Sequence, residues 1–289
     1  MCVIFGISSS SEVNIKDFKV LAEHARQRGR DSSGLMVAKT DRYAIYRADR
    51  DVKNLLSKVS LRGVTIALGH SRLITNGASD NQPVVRNGVC VIHNGIIVND
   101  EAVWGEIGVQ RQQEIDSEVI AAIAEVHVAE SGSLHGVSER VLGLCQGVVS
   151  TAIAVPSIGQ MVVFSNNGSL YVGSKEEDFY FASEEYPLRI LMCENVRKVI
   201  NEEVLVNIPE KLRIEINEHR SDRVNLIPKF SQSEAERALL RYPKPDLKRC
   251  SKCILPETMP FIQFDRDGVC NYCNNYQLRN VPKPKEELF

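Results

Sequence analysis

The sequence lacks the features of a membrane protein and of a general nucleic-acid binder. No apolar run in its 289 residues approaches the length that crosses a bilayer. Neither sign of charge dominates, because 35 basic residues stand against 37 acidic ones and the formal net charge is -2. We therefore expect neither a membrane nor a nucleic acid among the partners of this protein.

A secretory signal is also missing. The start of the chain, Met1-Cys2-Val3-Ile4-Phe5-Gly6, has neither the charged segment nor the long apolar segment of a signal peptide. A disulfide framework is therefore not expected among the eight cysteines. Their pattern fits a protein of the reducing cytoplasm with one metal site.

The hydrophobic pattern predicts an α+β fold. Apolar and alternating runs predict strands over residues 2–7, 35–38, 43–46, 64–68, 147–155, 160–165, 169–173 and 179–183, and a hairpin over 84–98 that turns at Asn87-Gly88. Helical spacing predicts amphipathic helices over 17–28 and 116–127 and a short helix over 186–192. Strands and helices do not alternate regularly, so we expect stacked antiparallel sheets with two or three helices outside them.

Length and composition divide the chain into three segments. Residues 2–230 carry the predicted sheets and form the main domain. Residues 231–249 hold a predicted helix at 231–242 and a proline-rich linker at 243–246. Residues 250–289 hold a compact cysteine module and a charged tail.

Cys2 is the first residue of chemical interest. Removal of Met1 would leave a thiol and a free α-amino group on one residue, and an α-amino group with a pKa of about 7.7–8.0 can act as a base near neutral pH. On position alone, the simpler interpretation is a small buried residue on a first strand.

Four ordered motifs after Cys2 favour the chemical interpretation. They are Arg28-Gly29-Arg30-Asp31-Ser32-Ser33-Gly34, Gly69-His70-Ser71-Arg72, His93-Asn94-Gly95 and Asp116-Ser117-Glu118. Together with Cys2 they resemble the glutaminase domain of class II glutamine amidotransferases, over roughly residues 2 to 200. Each motif alone is weak, but five in this order are specific. The resemblance implies a four-layer αββα fold of the N-terminal-nucleophile hydrolases.

The resemblance also implies how glutamine is cleaved. Cys2 is the nucleophile, and the Asn94 side-chain amide and the Gly95 backbone N–H stabilise the oxyanion. The alternative for Asn94-Gly95 is a simple turn.

The substrate would be held at its two charged ends. Arg72 can bind the carboxylate of glutamine through two charge-assisted hydrogen bonds, and Asp116 can hold the ammonium. Thr75 and Asn76 are further candidates for the lining of the glutamine site. The alternative for Arg72 and Asp116 is an ordinary surface ion pair.

Other residues in and around these motifs are assigned no chemistry. His70 and His93 are expected to be core or hydrogen-bonding histidines, and Cys90, Cys145 and Cys193 small buried hydrophobes. The run 29–33 superficially resembles an ATP-pyrophosphatase loop, which should follow a strand and open a helix. Here it follows a predicted helix and precedes a predicted strand.

Four cysteines near the end of the chain form two CxxC pairs. Cys250-x-x-Cys253 and Cys270-x-x-Cys273 are separated by sixteen residues, a spacing typical of a structural Zn²⁺ site with four thiolate ligands. Four protein ligands leave no open position for catalysis. Free thiols or a redox pair are the alternatives.

The residues around these cysteines carry a second resemblance. Residues 249–258 and 264–273 are similar to the zinc segment of N-acetyl sugar amidotransferases, which aminate an activated acceptor with an ATP-pyrophosphatase domain. The chain shows no convincing ATP loop. The resemblance therefore implies a partner or missing synthetase part that binds ATP and Mg²⁺, and it leaves a homo-oligomer possible.

Three functions remain open at this point. The leading one is hydrolysis of glutamine, with ammonia passed to an N-acetyl sugar or, as the Arg72-Leu73 pair of the asparagine synthetase branch suggests, to a carboxylate. The second is another hydrolase of the same fold that acts on a different amide. The third is a zinc-bearing scaffold with a degenerate glutaminase domain.

Overall fold

The computed structural model describes residues 2–39, 42–73, 81–208 and 247–276. The chain divides into two compact units, Met1–Lys244 and Pro245–Phe289. Thr75 and Asn76, the predicted helix at 231–242, the linker at 243–246 and the tail at 281–289 lie outside the described residues. The three segment boundaries drawn from the sequence stay a prediction.

Twelve described strands of the first unit form two sheets, in which all pairs are antiparallel. The strands are β1 Val3–Ser8, β2 Ser32–Ala38, β3 Tyr43–Ala48, β4 Ile66–Arg72, β5 Val84–Arg86, β6 Val89–Ile97, β7 Gly147–Val155, β8 Gln160–Ser165, β9 Tyr171–Lys175, β10 Asp178–Ala182, β11 Glu194–Lys198 and β12 Glu202–Asn207. The larger sheet has the order β11-β9-β10-β1-β4-β2-β3, and the smaller has the order β12-β8-β7-β6-β5.

Six α-helices are described in this unit: α1 Ile15–Arg26, α2 Val52–Leu56, α3 Asp100–Ile107, α4 Glu118–Ser131, α5 Val137–Leu144 and α6 Glu185–Ile190. A 3-10 turn spans Pro156–Ile158, and the second unit contains a four-residue helix at Asn271–Asn274. None of the helices in the described ranges is long and apolar enough to cross a membrane.

Three apolar clusters show that these elements stack in four layers. One cluster joins α1, α2 and α6 to the larger sheet, through residues such as Phe5, Phe18 and Leu188. A second lies between the two sheets and includes Ile4 and Ile92. A third joins the smaller sheet to α3, α4 and α5. The predicted αββα architecture is therefore confirmed.

Local sequence explains the first helix. The Asn14 side chain accepts hydrogen bonds from the backbone N–H groups of Lys16 and Asp17 and so caps the start of α1. The apolar stripe that predicted this helix, Phe18, Leu21, Ala22 and Ala25, is buried against the larger sheet. The predicted helix at 17–28 is confirmed, with bounds two residues earlier.

The sequence underestimated the number of helices. The structure adds α2, α3 and α5, and α2 is only five residues long, which is too short to show a helical period. The edge strands β11 and β12 were also missed, because Glu194–Lys198 is largely polar and exposed, and Glu202–Asn207 has only a three-residue apolar run without alternation. Edge strands of this kind give no strong alternation signal.

The helix predicted over 116–127 is present as α4, but it begins two residues later, and its expected amphipathic character was wrong. The helix α4 begins at Glu118, and Asp116 lies before it. Residues Val119 to Ala124 are all buried, so the first turns of α4 have no polar face. The helix packs between α3, α5 and the smaller sheet, which explains why its first turns are buried on every side.

The polar group at the start of α4 is neutralised inside the protein. Glu118 is fully buried, and its carboxylate lies 2.5 Å from the guanidinium of Arg86. The same carboxylate accepts hydrogen bonds from the backbone N–H groups of Gln112 and Gln113. Arg86 also pairs with Glu125 at 2.8 Å.

We predict that Arg86→Ala lowers the free energy of unfolding by about 3–5 kcal/mol, because the Glu118 charge would remain buried without its cation. Chemical denaturation of the purified variant measures this. The matched control is Arg189→Ala, which breaks the exposed Arg189–Glu185 pair and should cost less than about 1 kcal/mol. Equal losses in the two variants would contradict the prediction.

Candidate active site and metal centre

The space between the two sheets changes from apolar to polar at one end. Along β4, Ile66 and Leu68 belong to the inter-sheet cluster, and alternation of side chains turns His70 and Arg72 to the same space. The same argument applies to strands of the smaller sheet, where Asn94 follows Ile92 by two residues. We call this region the polar end; its buried members are Ser32, His70, Arg72, Asn94, Ser150, Ser165 and Ser183.

Cys2 lies at the polar end, directly before β1. Strand register pairs Val3 with Ser71, which brings Cys2 beside the end of β4. Its Sγ lies 3.9 Å from the carbonyl oxygen of Leu73. Burial raises the pKa of the Cys2 thiol above its usual value, although the positive charge of Arg72 acts in the opposite direction.

The first motif after Cys2 supports the end of β4. Ser71 Oγ donates to the Gly29 carbonyl at 2.7 Å, and the Asp31 N–H donates to the Arg72 carbonyl at 3.0 Å. A Cβ atom at Gly29 would lie 2.8 Å from the Arg72 backbone, so only glycine permits this approach. The run 29–33 follows α1 and leads into β2, in agreement with the rejection of an ATP loop.

Ser183 connects the first strand with Asn94. Its Oγ accepts a hydrogen bond from the Ile4 N–H at 2.9 Å and another from Asn94 Nδ2 at 3.4 Å, and it donates to the Ile4 carbonyl at 3.3 Å. Ser183 also lines an open cleft of about 700 Å³, so the polar end reaches the surface here.

Gly95 is held in a tight space next to Asn94. A Cβ atom at this position would lie 1.8 Å from the carbonyl oxygen of Val148 and 2.6 Å from His93 Nε2. Asn94 and Gly95 lie in the middle of the β6–β7 ladder, where Asn94 pairs with Ser150. The alternative that Asn94-Gly95 is a simple turn is therefore wrong.

Asp116 reaches the same region from the start of α4. Its Oδ2 accepts the Ile97 N–H at 2.8 Å, and its Oδ1 accepts the Ser117 hydroxyl at 3.3 Å. The negative charge of Asp116 contributes to the raised pKa of Cys2. Both Asp116 and Arg72 are buried, with exposures of 8% and 3%, so the alternative of an ordinary surface ion pair is wrong.

The two histidines differ in their surroundings. His93 forms hydrogen bonds through both ring nitrogens, to Ser117 and to Val148. His70 is fully buried beside Arg72, and neither of its ring nitrogens has a hydrogen bond of ordinary geometry among the described residues. Burial lowers the pKa of His70 well below its usual value, and the charge of Arg72 lowers it further. Both are core histidines, as expected.

The scattered cysteines follow the expectation with one exception. Cys90 and Cys145 are buried, whereas Cys193 is only partly buried. Burial raises the pKa of Cys90 to about 12, which makes it an inert core residue.

The four cysteines of the second unit converge. Their Sγ atoms all lie within 4.8 Å of one another, with Cys250 and Cys273 3.9 Å apart and Cys253 and Cys270 3.6 Å apart. The Cys250 sulfur accepts hydrogen bonds from the backbone N–H groups of Lys252, Cys253 and Cys270. Burial alone would raise the pKa of Cys250, but these donors lower it to about 6. The four sulfurs therefore lie close enough together to hold one metal ion.

The fold and a family match together define the first unit. Residues 70–189 match the model of the glutamine amidotransferase domain, a segment that contains Arg72, Asn94, Gly95 and Asp116. The four-layer fold is that of the N-terminal-nucleophile hydrolases. The matched segment is therefore a glutamine amidotransferase domain, set in a four-layer fold.

Known proteins with similar sequences or structures agree with this class. The glutamine–fructose-6-phosphate aminotransferase (isomerizing) of Campylobacter jejuni is 28% identical over 207 residues, or 68% of this chain and 34% of its own length. The Rhizobium meliloti protein of the same name is 30% identical over 193 residues, or 60% and 31%. This chain therefore spans about a third of the length of these curated relatives.

Solved structures support the fold. The glutamine phosphoribosylpyrophosphate amidotransferase from B. subtilis, complexed with ADP and GMP, aligns with a TM-score of 0.57 at 21% identity. The alignment covers 75% of this chain and 50% of that chain. At this identity the likeness shows the fold alone.

Sequence reasoning missed two residues that hold the site together. Ser183 contacts Asn94 and Ile4, and Gln82 contacts His93 and Ser117. Neither residue lies in a recognisable motif, and Ser183 is 179 residues from Ile4 in the chain. No local signal could have assigned them.

We predict that Gly95→Ala lowers the free energy of unfolding by about 1–3 kcal/mol, because the added methyl group forces β6 and β7 apart at Val148. Thermal unfolding measures the change. The matched control is Gly105→Ala in α3, where an added Cβ meets nothing within 4 Å. That substitution should raise stability by up to about 1 kcal/mol. A Gly95→Ala protein as stable as the wild type would contradict the prediction.

Proposed function

We propose that this chain hydrolyses glutamine at Cys2 and that the ammonia aminates an acceptor at a second site. The observation that carries the proposal is the polar end itself. There the Cys2 Sγ lies 3.9 Å from the Leu73 carbonyl oxygen at the end of β4. The Asn94 side-chain amide and the Ile4 N–H of β1 both donate to Ser183 Oγ.

The nucleophile needs a base. Because burial raises the pKa of the Cys2 thiol, the sulfur is protonated at neutral pH. Removal of Met1 would free the α-amino group of Cys2, whose pKa of about 7.7–8.0 suits it to take the thiol proton. The sulfur then attacks the amide carbon of glutamine, and the carbonyl oxygen becomes an oxyanion.

Asn94 and Gly95 are the proposed donors to this oxyanion, one through its side-chain amide and one through its backbone N–H. When the tetrahedral intermediate collapses, the α-ammonium group of Cys2 returns the proton to the leaving nitrogen of the substrate, and ammonia departs. Water then attacks the glutamyl thioester, which releases glutamate and restores the Cys2 thiol. One glutamine and one water give one glutamate and one ammonia.

Buried charges of opposite sign suit the two ends of a free amino acid. Arg72 would bind the α-carboxylate and Asp116 the α-ammonium, so that the side-chain amide lies over the sulfur. Thr75 and Asn76 are proposed to complete the lining of the site. Another hydrolase of this fold acting on a different amide would not need both charges.

The acceptor is proposed to be a sugar. The Campylobacter and Rhizobium relatives carry the name of fructose-6-phosphate aminotransferases, and the cysteine segment resembles that of N-acetyl sugar amidotransferases. A synthetase domain or subunit with ATP and Mg²⁺ would activate the acceptor. The second candidate, amidation of a carboxylate, is favoured by Leu73 after Arg72. We place the reaction in the reducing cytoplasm, where none of the eight cysteines would form a disulfide.

The cysteine cluster is proposed to hold one structural Zn²⁺ ion. A tetrahedron with Zn–S bonds of about 2.3 Å has sulfur–sulfur edges of roughly 3.8 Å. The distances of 3.6 and 3.9 Å between the two pairs of sulfurs fit this value. Four thiolate ligands leave no position for a substrate, so the ion would stabilise the module.

We predict about one zinc ion per chain by mass spectrometry of the metal content. Cys253→Ser should lose most of this zinc, because one of four ligands is removed. Cys193→Ser is the control and should keep it, since Cys193 lies in the first unit. A wild-type protein free of metal after growth with zinc would refute the proposed site.

We predict that the purified chain has lost Met1 and gains one adduct from 6-diazo-5-oxo-norleucine, an electrophilic analogue of glutamine, as read from its intact mass. Cys2→Ala should gain none and should lower glutaminase activity by at least about 10³-fold, because the covalent route is lost. Cys193→Ser should be labelled like the wild type. A processed wild-type chain that stays unlabelled would favour the scaffold alternative.

A further inference from the structure

A closed hydrogen-bond network lies behind Asp116. Its members Gln82, His93 and Ser117 are all at most 3% exposed. Gln82 Nε2 donates to the His93 carbonyl at 3.0 Å and to Ser117 Oγ at 3.1 Å, and the His93 N–H donates to Gln82 Oε1 at 2.6 Å. Glutamine hydrolysis as described above assigns no task to these residues.

The contacts of His93 determine where its proton lies. Its Nε2 is 3.1 Å from the Val148 carbonyl oxygen, which can only accept, so Nε2 carries a hydrogen. Burial lowers the pKa of His93, against the opposite effect of the Asp116 charge. The ring is therefore neutral at pH 7, and Nδ1 presents a lone pair to Ser117 Oγ at 3.0 Å.

Ser117 has one hydrogen and two acceptors. Its Oγ lies 3.0 Å from His93 Nδ1 and 3.3 Å from Asp116 Oδ1, and its lone pairs already receive the Gln82 amide. Asp116 Oδ2 is occupied by the Ile97 N–H at 2.8 Å. The Ser117 hydrogen can therefore satisfy either His93 or Asp116 Oδ1, but not both.

We propose that His93 is a positioning residue for the ammonium subsite. When the α-ammonium group of a ligand donates to Asp116 Oδ1, the Ser117 hydrogen turns to His93 Nδ1. The ligand is then the only donor at this carboxylate oxygen, so its hydrogen bond is stronger, and the preference of the site for molecules with an α-ammonium group increases. The inference rests on the proposed function, in which Asp116 binds the ammonium of glutamine.

Removal of the acceptor at Nδ1 has a specific consequence. With no alternative acceptor, the Ser117 hydrogen stays on Asp116 Oδ1, where it shares the negative charge of this oxygen with the ammonium of the ligand and weakens that hydrogen bond. Ligands without that ammonium are unaffected. The signature of the mechanism is therefore a change in selectivity, which a general loss of structure would not produce.

Two substitutions of His93 separate its two hydrogen bonds. Asparagine places an amide oxygen near the position of Nδ1 and keeps an acceptor for Ser117. Glutamine places its amide near the position of Nε2, so it keeps the bond to Val148 and removes the acceptor.

The test compares inhibition of glutaminase activity by L-glutamate and by glutarate, which differ by the α-ammonium group. The inhibition constant of glutarate divided by that of L-glutamate reports the selectivity, and a lower ratio means a weaker preference for glutamate. We expect His93→Asn to keep the wild-type ratio within about 2-fold and His93→Gln to lower it by about 3- to 10-fold, the range of one hydrogen bond. An unchanged ratio in folded His93→Gln would overturn the inference.

Ser117→Ala completes a double-mutant cycle. Without the Ser117 hydroxyl, no hydrogen can switch between His93 Nδ1 and Asp116 Oδ1. His93→Gln and His93→Asn should therefore give equal ratios when combined with Ser117→Ala. If His93→Gln lowers the ratio as strongly with Ser117→Ala as without it, His93 acts by another route and the inference fails. Should His93→Gln not fold, His93→Asn alone decides, because a lost preference for glutamate in that variant contradicts the mechanism.

The outcomes also separate this inference from the proposed function. A processed wild-type chain that neither hydrolyses glutamine nor reacts with its analogue removes both. Wild-type turnover, together with a preference for glutamate that His93→Gln leaves intact, removes only the role of His93.

Discussion

The register of β1 against β4 is the constraint on which the site depends. It pairs Val3 with Ser71 in the middle of the larger sheet and so brings Cys2 to Arg72. Side chains alternate along a strand, so a slip of β1 by one residue would turn the Cys2 side chain to the opposite face of the sheet from Arg72. Burial on both faces prevents this slip, because Ile4 packs between the sheets and Phe5 packs under α1.

The site lies at the end of the inter-sheet space where the side chains between the two sheets change from apolar to polar. Buried polar groups are costly unless they are hydrogen-bonded, and most of those described here satisfy one another, whereas the ring nitrogens of His70 have no such partner among the described residues. Ser183 joins Asn94 to the first strand, and Gln82 and Ser117 stand behind Asp116. A rigid arrangement of this kind keeps donors and charges in position before a substrate arrives.

The cysteine module differs from the first unit in the interactions that can stabilise it. It is too small for a core of its own, since its described elements are two isolated bridges and one short helix. Backbone N–H groups point at the Cys250 sulfur and favour its thiolate form. Metal binding can then provide the stability that apolar burial provides in the first unit.

The sequence by itself identified the candidate site residues and the periodic apolar patterns of several strands and helices. Alternation and helical spacing depend on near neighbours, so they predicted β7, β8, the hairpin of β5 and β6, and the stripe of α1. Ordered motifs singled out Cys2, Arg72, Asn94 and Asp116. Only the tertiary structure decided which of these groups meet and which partners support them. The contacts of Ser183 and Gln82 join segments that are remote in the chain, and the edge strands β11 and β12 depend on pairing with β9 and β8, which near neighbours in the sequence do not reveal.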